Sequence, residues 1–327
     1  MSTSQETPLE HSLDSLLRPK TWDDYIGQEK VKKNLDVLIS AAKQRGQMPE
    51  HILLYGPAGL GKTTLAYIIG SILGVPIQTA SGPMIERVGD IASLASTLEN
   101  GGVLFIDEIH RLKKNIEESL YPIMESGTVS VMLGKGPAAQ SVTFDLPPIV
   151  IIAATTQAGK LSTPLRTRFS GGTLKLAPYS DGEIAQILKR SAAVLETSPP
   201  DDEAVREIAK RSRNTPRIAN YLLKRVRDYA QVHEKDISAD IVKQALTERD
   251  IDAYGLTNED RSVLETINTV FNGGPVGIKA LATTLSEDPE TIEEVYEPFL
   301  IQVGFLDRTP RGRSITKKGV SYLRSVR

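Results

Sequence analysis

Hydrophobic residues follow two different patterns along the chain, and the pattern changes near residue 179. Before that position, continuous apolar runs at 52–55, 103–106 and 149–154 alternate with segments whose apolar residues recur every three or four positions. The continuous runs predict buried strands, and the longer period predicts amphipathic helices. Strands that alternate with helices are typical of βαβ units, so residues 1–178 are expected to form an α/β domain.

After residue 179 the strand pattern stops and helical spacing continues. The predicted helices cover residues 181–195, 202–213, 217–232 and 239–249. Thr215 is expected to cap the third of these helices, with Pro216 in its first position, and Ser238 is expected to cap the fourth. Together these segments predict a small all-helical domain over residues 179–254.

The C-terminal part, residues 255–327, combines predicted helices with a basic hairpin. The helices cover residues 260–272, 278–286 and 289–302, and a strand at 304–306 and a tight turn at 309–313 follow them. This order is typical of a winged helix, a relative of the helix-turn-helix that docks on DNA. A solvated basic tail is the alternative, but arginines on both sides of a proline-glycine turn favour contacts with phosphates.

The clearest chemical signal is the stretch GPAGLGKT at residues 56–63, directly after a predicted strand. It fits G-x-x-x-x-G-K-[ST] at each fixed position. Glycines let backbone N–H groups surround phosphate oxygens, while Lys62 reaches the β/γ-phosphates and the Thr63 hydroxyl binds Mg²⁺. Residues 64–73 predict a helix whose N-terminus faces the anion and which ends at Gly74. Residues 90–98 predict the next helix, with Asp90 as its N-cap. A glycine-rich turn without a ligand is the alternative.

Two acidic residues, Asp107 and Glu108, follow the apolar run at 103–106. We expect Asp107 to hold Mg²⁺, directly or through water, and Glu108 to act on the attacking water as general base. Carboxylates often end a strand at a turn without any catalytic role, but their spacing after the P-loop favours nucleotide chemistry. His110 has no partner at helical spacing, so we interpret it as a satisfied or solvent-facing histidine.

Polar residues also follow the apolar run at 149–154. Thr155 or Thr156 is expected beside the γ-phosphate, where a hydroxyl group orients water, although threonine is also common at strand ends because of its β propensity. Arg166 and Arg168 come next along the chain. They are either surface charges or groups that reach the γ-phosphate of a neighbouring subunit.

Two segments each have two interpretations. Residues 17–28 contain the only tryptophan of the chain, and they form either a loop that packs an adenine or a structural lead-in with Trp22 in a small core. Residues 128–144 alternate between apolar and polar positions and predict a hairpin with its turn at 134–137. The branched side chains of this hairpin either pack inward on the core or project toward a partner.

Composition and charge narrow the classes of protein that fit. A hydrophobic content of 40% and a charged content of 24% are typical of a soluble globular protein, and the longest apolar run is too short to cross a bilayer. The chain has no cysteine, which excludes disulfides, thiolate metal sites and cysteine nucleophiles. The N-terminus lacks the pattern of a signal peptide, so we expect a cytoplasmic protein.

The charge is unevenly distributed. The net charge is −2, yet the residues from Arg308 onward include seven Lys or Arg and no Asp or Glu. This basic end predicts one local anionic partner surface on a near-neutral protein.

These segments, in this order, resemble one family closely, the RuvB family of bacterial Holliday-junction branch-migration motors in the AAA+ class. The stretch GPAGLGKT and the Asp-Glu pair are shared by many ATPases. Further stretches that carry the resemblance are EESLYPIME, GKGPAAQS, ATTQAG, TPLRTRF, NTPRIANYLLKRVRDYA and EPFLIQVGFLDRTPRGR. Within them, YPIME, GPAA, TPRIAN and RTPRGR are far narrower signals than the first two. The resemblance implies an AAA+ P-loop ATPase domain of α/β type, a small all-α lid domain and a C-terminal winged-helix domain.

The resemblance also implies roles for individual residues. The expected adenine-pocket residues are Leu17, Arg18, Tyr25 and Ile26. The expected phosphate-binding and magnesium-binding residues are Gly59, Gly61, Lys62, Thr63, Thr64 and Asp107, with Thr63 and Asp107 on the metal. The other expected nucleotide-site residues are Glu108 as base, one of Thr155 and Thr156 as first sensor, Arg168 as the arginine finger of the next subunit's site, and Tyr179 and Arg217 from the lid. The expected DNA-backbone contacts are Arg308, Arg311 and Arg313.

The resemblance further implies ATP and Mg²⁺, a homohexameric ring and double-stranded DNA at four-way junctions. A RuvA-type junction-binding protein is the partner expected at the hairpin 129–144, and a RuvC-type resolvase is a further candidate partner. The sequence departs from the family pattern at Gln157, where Arg is usual, at Thr167, where an acid or a small residue is common, and at Pro289, where a basic residue is expected.

Three other functions fit parts of the same pattern. A clamp loader or an initiator with a winged helix would open or load a ring instead of pumping DNA. A nucleotide-gated DNA-binding module would bind without hydrolysis, which the presence of Lys62, Asp107, Glu108 and Arg168 argues against. A protein unfoldase is disfavoured by the basic C-terminal part.

Overall fold

The computed structural model describes residue 13 and residues 15–98, 101–133 and 140–326, without the side chains of 132 and 133. The chain divides into two compact units. The first comprises Met1–Ile187 and Thr215–Arg217, and the second comprises Leu188–Asn214 and Ile218–Arg327. The domain boundaries expected from the sequence, at 178 and 254, stay predictions.

The first unit is built on alternating strands and helices, as the apolar pattern predicts. Its elements are α1 (Glu29–Gln44), β1 (Ile52–Tyr55), α2 (Lys62–Leu73), β2 (Ile77–Ser81), α3 (Val88–Ser96), β3 (Gly102–Asp107), α4 (Lys114–Ser126), β4 (Thr128–Leu133), β5 (Gln140–Asp145), β6 (Ile149–Thr155), α5 (Thr163–Thr167) and β7 (Thr173–Lys175). Short 3₁₀ turns cover Gly82–Met84, Ile109–Arg111 and Ala158–Lys160. Helix α6 (Asp181–Val194) begins in the first unit and ends in the second.

Five strands form one parallel sheet in the order β2-β3-β6-β1-β7. All seven residues of β6 are buried, which explains the continuous apolar run at its centre. The register pairs Tyr55 with Thr155 and Ser81 with Asp107. Because the carboxyl ends of parallel strands meet at one edge, this edge collects the P-loop after β1, the acids that end β3 and the threonines that end β6.

Strands β4 and β5 form the predicted hairpin, with Val129 opposite Phe144. Val129 is buried and Val131 is partly buried against the core of the first unit, so these branched side chains pack inward. Phe144 is 47% exposed. The predicted turn at 134–137 lies outside the described residues.

Two local predictions about α2 and α3 have different outcomes. Gly74 ends α2 in the left-handed conformation with φ 69°, as predicted. The prediction that Asp90 is the N-cap of α3 is wrong, because this helix begins at Val88 and has Arg87 as its N-cap. Asp90 lies in the first turn of the helix, at its third position, and accepts hydrogen bonds from the backbone N–H groups of Glu86 and Arg87, each at 2.9 Å.

The second unit is helical apart from one hairpin. Its further elements are α7 (Asp202–Arg211), α8 (Pro216–Val232), α9 (Ala239–Thr247), α10 (Asn258–Thr269), α11 (Ile278–Leu285), α12 (Pro289–Thr291), α13 (Glu297–Gln302), β8 (Leu306–Thr309), β9 (Gly312–Ile315) and α14 (Lys317–Ser325). A π-helical segment, Ile292–Tyr296, joins α12 to α13, so the predicted helix over 289–302 is continuous. The Ser238 hydroxyl accepts from the backbone N–H of Ile241 and caps α9, as predicted.

The C-terminal part of this unit has its own apolar core. Fourteen buried residues between Leu256 and Leu323 form one cluster that includes Phe305 and Tyr322. Strands β8 and β9 pair antiparallel beside it, with Arg308 opposite Arg313. Three helices and a hairpin on one core are the arrangement expected of a winged helix.

In the part of the chain that the structure describes, every helix is too short or too polar to cross a membrane. The cytoplasmic location stays a prediction.

Candidate active site

The P-loop adopts backbone conformations that only glycine takes without strain. Gly59 and Gly61 have φ of 77° and 96°. A Cβ atom on Gly59 would lie 2.7 Å from the Thr215 methyl carbon and 3.1 Å from the Arg217 Cβ, and one on Gly61 would lie 2.7 Å from the Tyr25 hydroxyl. These close approaches explain why the loop requires glycine at both positions.

Lys62 is 7% exposed, and its amino group donates to the carbonyl oxygens of Gly56 at 2.8 Å and Pro57 at 2.9 Å. Burial lowers the pKa of Lys62, the negative charges of Glu108 and Asp107 raise it, and the positive charge of Arg217 lowers it. Lys62, the Asp107–Glu108 pair and Arg217 are far apart in the sequence, but the fold brings them within electrostatic range. A buried ammonium group among acids and a second cation fits a site for a polyanion.

The two acids after β3 have different environments. The Asp107 carboxylate accepts from the backbone N–H of Glu108 at 2.9 Å, which turns it toward the end of the sheet. Glu108 itself is left-handed, with φ 47°, an uncommon conformation for a residue other than glycine, asparagine or aspartate. Its carboxylate accepts from the Thr156 hydroxyl at 3.3 Å and lies 3.1 Å from His110 Nδ1.

The structure separates the two threonines that the sequence left as alternatives. Thr155 is fully buried, and its hydroxyl lies 2.9 Å from His110 Nδ1 and accepts from the backbone N–H of Gln157. Thr156 is the threonine whose hydroxyl reaches the Glu108 carboxylate. Gln157, one of the departures from the family pattern, thus uses its backbone to hold Thr155.

Gly82, in the turn after β2, packs directly on the backbone of Glu108. A Cβ atom at Gly82 would lie far inside contact distance of the Glu108 carbonyl oxygen and 3.5 Å from that of Asp107. No side chain larger than hydrogen fits there while the turn at Glu108 keeps its position. Gly82 therefore supports the left-handed turn at Glu108.

Tyr25, predicted for the adenine pocket, and Tyr179, predicted to contact the nucleotide from the lid, meet behind the P-loop. The Tyr25 and Tyr179 hydroxyls lie 3.3 Å from each other, and each lies within 3.3 Å of the Leu60 carbonyl oxygen. Burial raises the pKa of both phenols.

The other residues predicted for the adenine pocket differ in exposure. Leu17 is buried, Ile26 is partly buried, and the exposed Arg18 lies over the Tyr67 ring. Trp22 is partly buried, and its indole N–H has no hydrogen-bond partner among the described residues.

A cavity of about 590 Å³ opens beside these groups. Thr63 and Asp107 line it together with Arg18, Tyr67 and Phe105. A hydroxyl and a carboxylate on one wall are oxygen donors of the kind that Mg²⁺ prefers. The side chains present therefore fit a nucleotide with its magnesium ion.

Arg168, at the C-terminus of α5, is held by residues of α4. Its guanidinium lies over the Tyr121 ring, pairs with Glu125 at 2.7 Å and donates to the Pro164 carbonyl at 2.8 Å. Its side chain is 22% exposed, and its buried Nε has no hydrogen-bond partner in the part of the chain that the structure describes. Arg166, by contrast, is exposed.

The three arginines expected to contact DNA are in different environments. Arg311 is exposed at the tip of the β8–β9 hairpin, and Arg308 is 56% exposed while pairing with Glu293 at 3.0 Å. Arg313 is only 8% exposed, since its guanidinium lies between Glu297 and Glu293. The expected contact of Arg313 with the DNA backbone stays a prediction. In this structure the donors of Arg313 bind two carboxylates inside the domain.

Comparison with known proteins identifies the family. The model of the Holliday junction DNA helicase RuvB P-loop domain matches residues 17–175, that of the RuvB AAA lid domain matches 179–252, and that of the RuvB C-terminal winged helix domain matches 253–324. The chain belongs to the RuvB family.

Solved structures of Thermotoga maritima RuvB agree with this assignment. The structure described as the RuvB Holliday junction branch migration motor is 47% identical over 94% of this chain and 98% of that chain, with a TM-score of 0.86. Two single-substitution variants of the same Thermotoga protein match at 47% identity over the same shares, with TM-scores of 0.86 and 0.85. The resemblance to RuvB and the fold class inferred from the sequence are confirmed, and the chain is a P-loop ATPase.

Sequence reasoning did not find three contacts of the candidate site residues. The interpretation of His110 as a satisfied histidine agrees with its contact with the Thr155 hydroxyl, but its contact with the Glu108 carboxylate was not predicted. Gly82 supports the Glu108 backbone, and Tyr121 supports Arg168. The only available signal was that Tyr121 and Glu125 are four residues apart on one predicted helix, so they share a face.

Proposed function

We propose that this chain is an ATP-driven DNA motor that promotes branch migration of four-way junctions. The observation that carries the proposal is the convergence of Lys62, Asp107, Glu108 and Thr156 at one edge of the parallel sheet, in a chain of the RuvB family. This is the constellation that phosphoryl transfer to water requires: a phosphate-binding cation, a metal-binding carboxylate, a base and a hydroxyl that orients water.

The chain's own residues supply each part of ATP hydrolysis. Backbone N–H groups of the P-loop and Lys62 hold the phosphates, and Thr63 and Asp107 are the proposed ligands of Mg²⁺, which neutralises charge on the phosphates when bound. Glu108 accepts the proton of the water that attacks the γ-phosphorus, and Thr156 orients that carboxylate. The bond from the γ-phosphorus to the bridging oxygen breaks, and ADP leaves with that electron pair.

Further residues of the chain are proposed to contact the nucleotide. Arg217, whose charge acts on Lys62, and Tyr179 are proposed to contact the nucleotide, and Thr64 follows Thr63 at the phosphates. Leu17, Arg18, Tyr25 and Ile26 are proposed to form the adenine side of the site.

Arg168 is proposed to act in the site of a neighbouring subunit of a homohexameric ring. Its guanidinium is engaged by Glu125 and Tyr121, on the surface of α4, and not by the phosphate-binding groups of its own subunit. A cation supplied in trans to a developing phosphate charge contributes roughly 10³–10⁵ in rate in comparable sites. Such dependence would couple hydrolysis to ring assembly.

DNA contact is proposed for Arg308 and Arg311 on the β8–β9 hairpin. Both are exposed, and neighbouring α14 adds the exposed cations Lys317 and Lys318. Contacts to phosphates alone give binding without sequence preference and with steep salt dependence. A motor that moves along DNA needs this kind of contact.

A RuvA-type junction binder is the proposed partner of the hairpin 129–144, with Phe144 as an exposed apolar contact. A RuvC-type resolvase remains a further candidate partner. Phe144→Ser would be expected to weaken stimulation by the junction binder while leaving the ATPase activity of the isolated chain unchanged, because Phe144 lies outside the nucleotide site.

The deciding experiment is branch migration of a synthetic four-way junction with ATP, with and without a RuvA-type junction binder. The proposal predicts ATP-dependent conversion into two duplexes, lost in Glu108→Gln. If ATP is hydrolysed while the junction stays intact with the binder present, the motor assignment is wrong and a loader function is favoured.

A further inference from the structure

His110 occupies a position that the proposed chemistry does not yet use. It lies in the 3₁₀ turn Ile109–Arg111 directly after β3, and its side chain is only 4% exposed. One ring nitrogen, Nδ1, lies 3.1 Å from Glu108 Oε2 and 2.9 Å from the Thr155 hydroxyl oxygen. A single buried atom thus contacts the carboxylate that follows β3 and the hydroxyl that ends β6.

The chemistry of these partners determines which atom carries the hydrogen. An ionised carboxylate only accepts hydrogen bonds, so a favourable contact with Glu108 requires a hydrogen on Nδ1. The Thr155 oxygen already accepts from the backbone N–H of Gln157 and has a second lone pair that can face the same Nδ1–H group. Nδ1–H therefore points between the carboxylate and the hydroxyl.

Glu108 needs such a restraint. Its side chain is 33% exposed, so water competes for its oxygens and little packing limits its rotation. Within the described part of the chain, the Thr156 hydroxyl and the His110 ring are the polar side-chain groups in contact with it, and both meet the same oxygen, Oε2. The other oxygen, Oε1, is thereby turned away from these contacts and is available to a water molecule.

We propose that His110 is a positioning residue for Glu108, holding Oε2 through Nδ1–H so that Oε1 faces the attacking water. This inference rests on the proposed role of Glu108 as general base. Because the contact orients the base without touching the nucleotide, its loss would lower the rate of hydrolysis and leave nucleotide affinity nearly unchanged. Misplacing a catalytic group by about 1 Å costs up to roughly 10²-fold in rate.

The test compares three substitutions of His110. His110→Asn keeps an N–H donor at the position of Nδ1, whereas His110→Gln moves its donor one bond farther out and His110→Ala removes it. The measurements are kcat and KM for ATP, the Kd of a non-hydrolysable ATP analogue, and the thermal unfolding midpoint. His233→Ala is a matched control, because His233 is exposed at the end of α8 and stacks only on Tyr229.

We expect His110→Ala and His110→Gln to lower kcat by about 10- to 100-fold, with KM and analogue affinity within about threefold of the unsubstituted chain. His110→Asn is expected to recover most of kcat. If Asn and Gln lose activity equally, or if analogue affinity falls as much as kcat, the positioning role is refuted. The Asn and Gln pair keeps the test decisive if His110→Ala does not fold.

Glu108→Gln, measured in parallel, separates this inference from the proposed function. If Glu108→Gln hydrolyses ATP at a normal rate, the assignment of Glu108 as base fails, and the inference fails with it. If Glu108→Gln is inactive while His110→Ala has normal kcat, only the inference fails. We expect His110→Ala to cause little further loss in the Glu108→Gln background, because both act through one carboxylate.

Discussion

The guanidinium carbon of Arg168 lies 4.1 Å from the centroid of the Tyr121 ring, so the charged group rests on an aromatic face. The same ring carries a hydroxyl that lies 3.1 Å from Ser162 Oγ, and Ser162 caps the short helix that ends at Arg168. Tyr121 therefore holds both the guanidinium and the helix that presents it. If Arg168 acts in the site of a neighbouring subunit, these contacts of Tyr121 determine the position of the guanidinium that reaches that site.

Arg168→Ala is expected to abolish ATP turnover while leaving ATP binding intact, because the guanidinium would act on a neighbour's phosphate and not on its own. The measurement is steady-state hydrolysis beside equilibrium binding of a fluorescent ATP analogue. Mixing Arg168→Ala with the P-loop variant Lys62→Ala should restore partial activity, since each subunit supplies what the other lacks. Near-normal hydrolysis by the pure Arg168→Ala variant would contradict the proposal that Arg168 acts in the site of a neighbouring subunit.

Replacement of Tyr121 tests the aromatic platform. Tyr121→Leu should lower turnover by a factor of roughly 2–30, which corresponds to the ~0.5–2 kcal/mol of a cation–π contact. Tyr121→Phe retains the ring face and should keep most of the activity, and it serves as the control for loss of the hydroxyl. Equal loss in Phe and Leu would assign the effect to the Ser162 contact instead of the ring.

Gly82→Ala is expected to reduce hydrolysis strongly, because the added methyl group would push the Glu108 carbonyl away and tilt the left-handed turn. A fall in kcat of about tenfold or more with an altered unfolding midpoint is the predicted result, measured by steady-state kinetics and thermal melting. Gly89→Ala is the matched control, since a Cβ atom there meets only open space. An active, fully stable Gly82→Ala would contradict the proposed steric support.

Arg313 and Arg311 should behave oppositely although they lie two residues apart. Arg313→Met leaves the 1%-exposed Glu297 without its close partner, and breaking a buried pair of this kind costs about 3–5 kcal/mol of unfolding free energy. Urea unfolding of the full chain measures this loss. Arg311→Ala is expected to leave stability unchanged.

DNA affinity gives the complementary result for Arg311. Removing one phosphate contact should weaken binding about equally for duplexes of different sequence and reduce the slope of log K against log[salt] by about 1. Fluorescence anisotropy over a salt series checks this. An unchanged slope in Arg311→Ala would show that the hairpin tip does not meet the DNA backbone.

The sequence by itself determined those features of this protein that depend on residues close together along the chain. The P-loop spacing, the acids after an apolar strand, the glycine end of α2 and the serine cap of α9 each depend on neighbouring residues along the chain, so their patterns are visible without a structure. The prediction for Asp90 also depended on neighbouring residues, but it was wrong, because an acid in the first turn of a helix and an acid at its N-cap produce the same local pattern.

Contacts between distant residues were decided only by the tertiary structure. His110 meets Thr155 because β3 and β6 are neighbours in the sheet and the left-handed turn at Glu108 redirects the chain. Arg313 is buried because its strand lies against the helix that carries Glu297. The sequence shows a basic turn of exposed appearance, but one of its arginines forms an ion pair inside the domain. Strand order and helix packing set these distances, and neither is encoded in the spacing of residues along the chain.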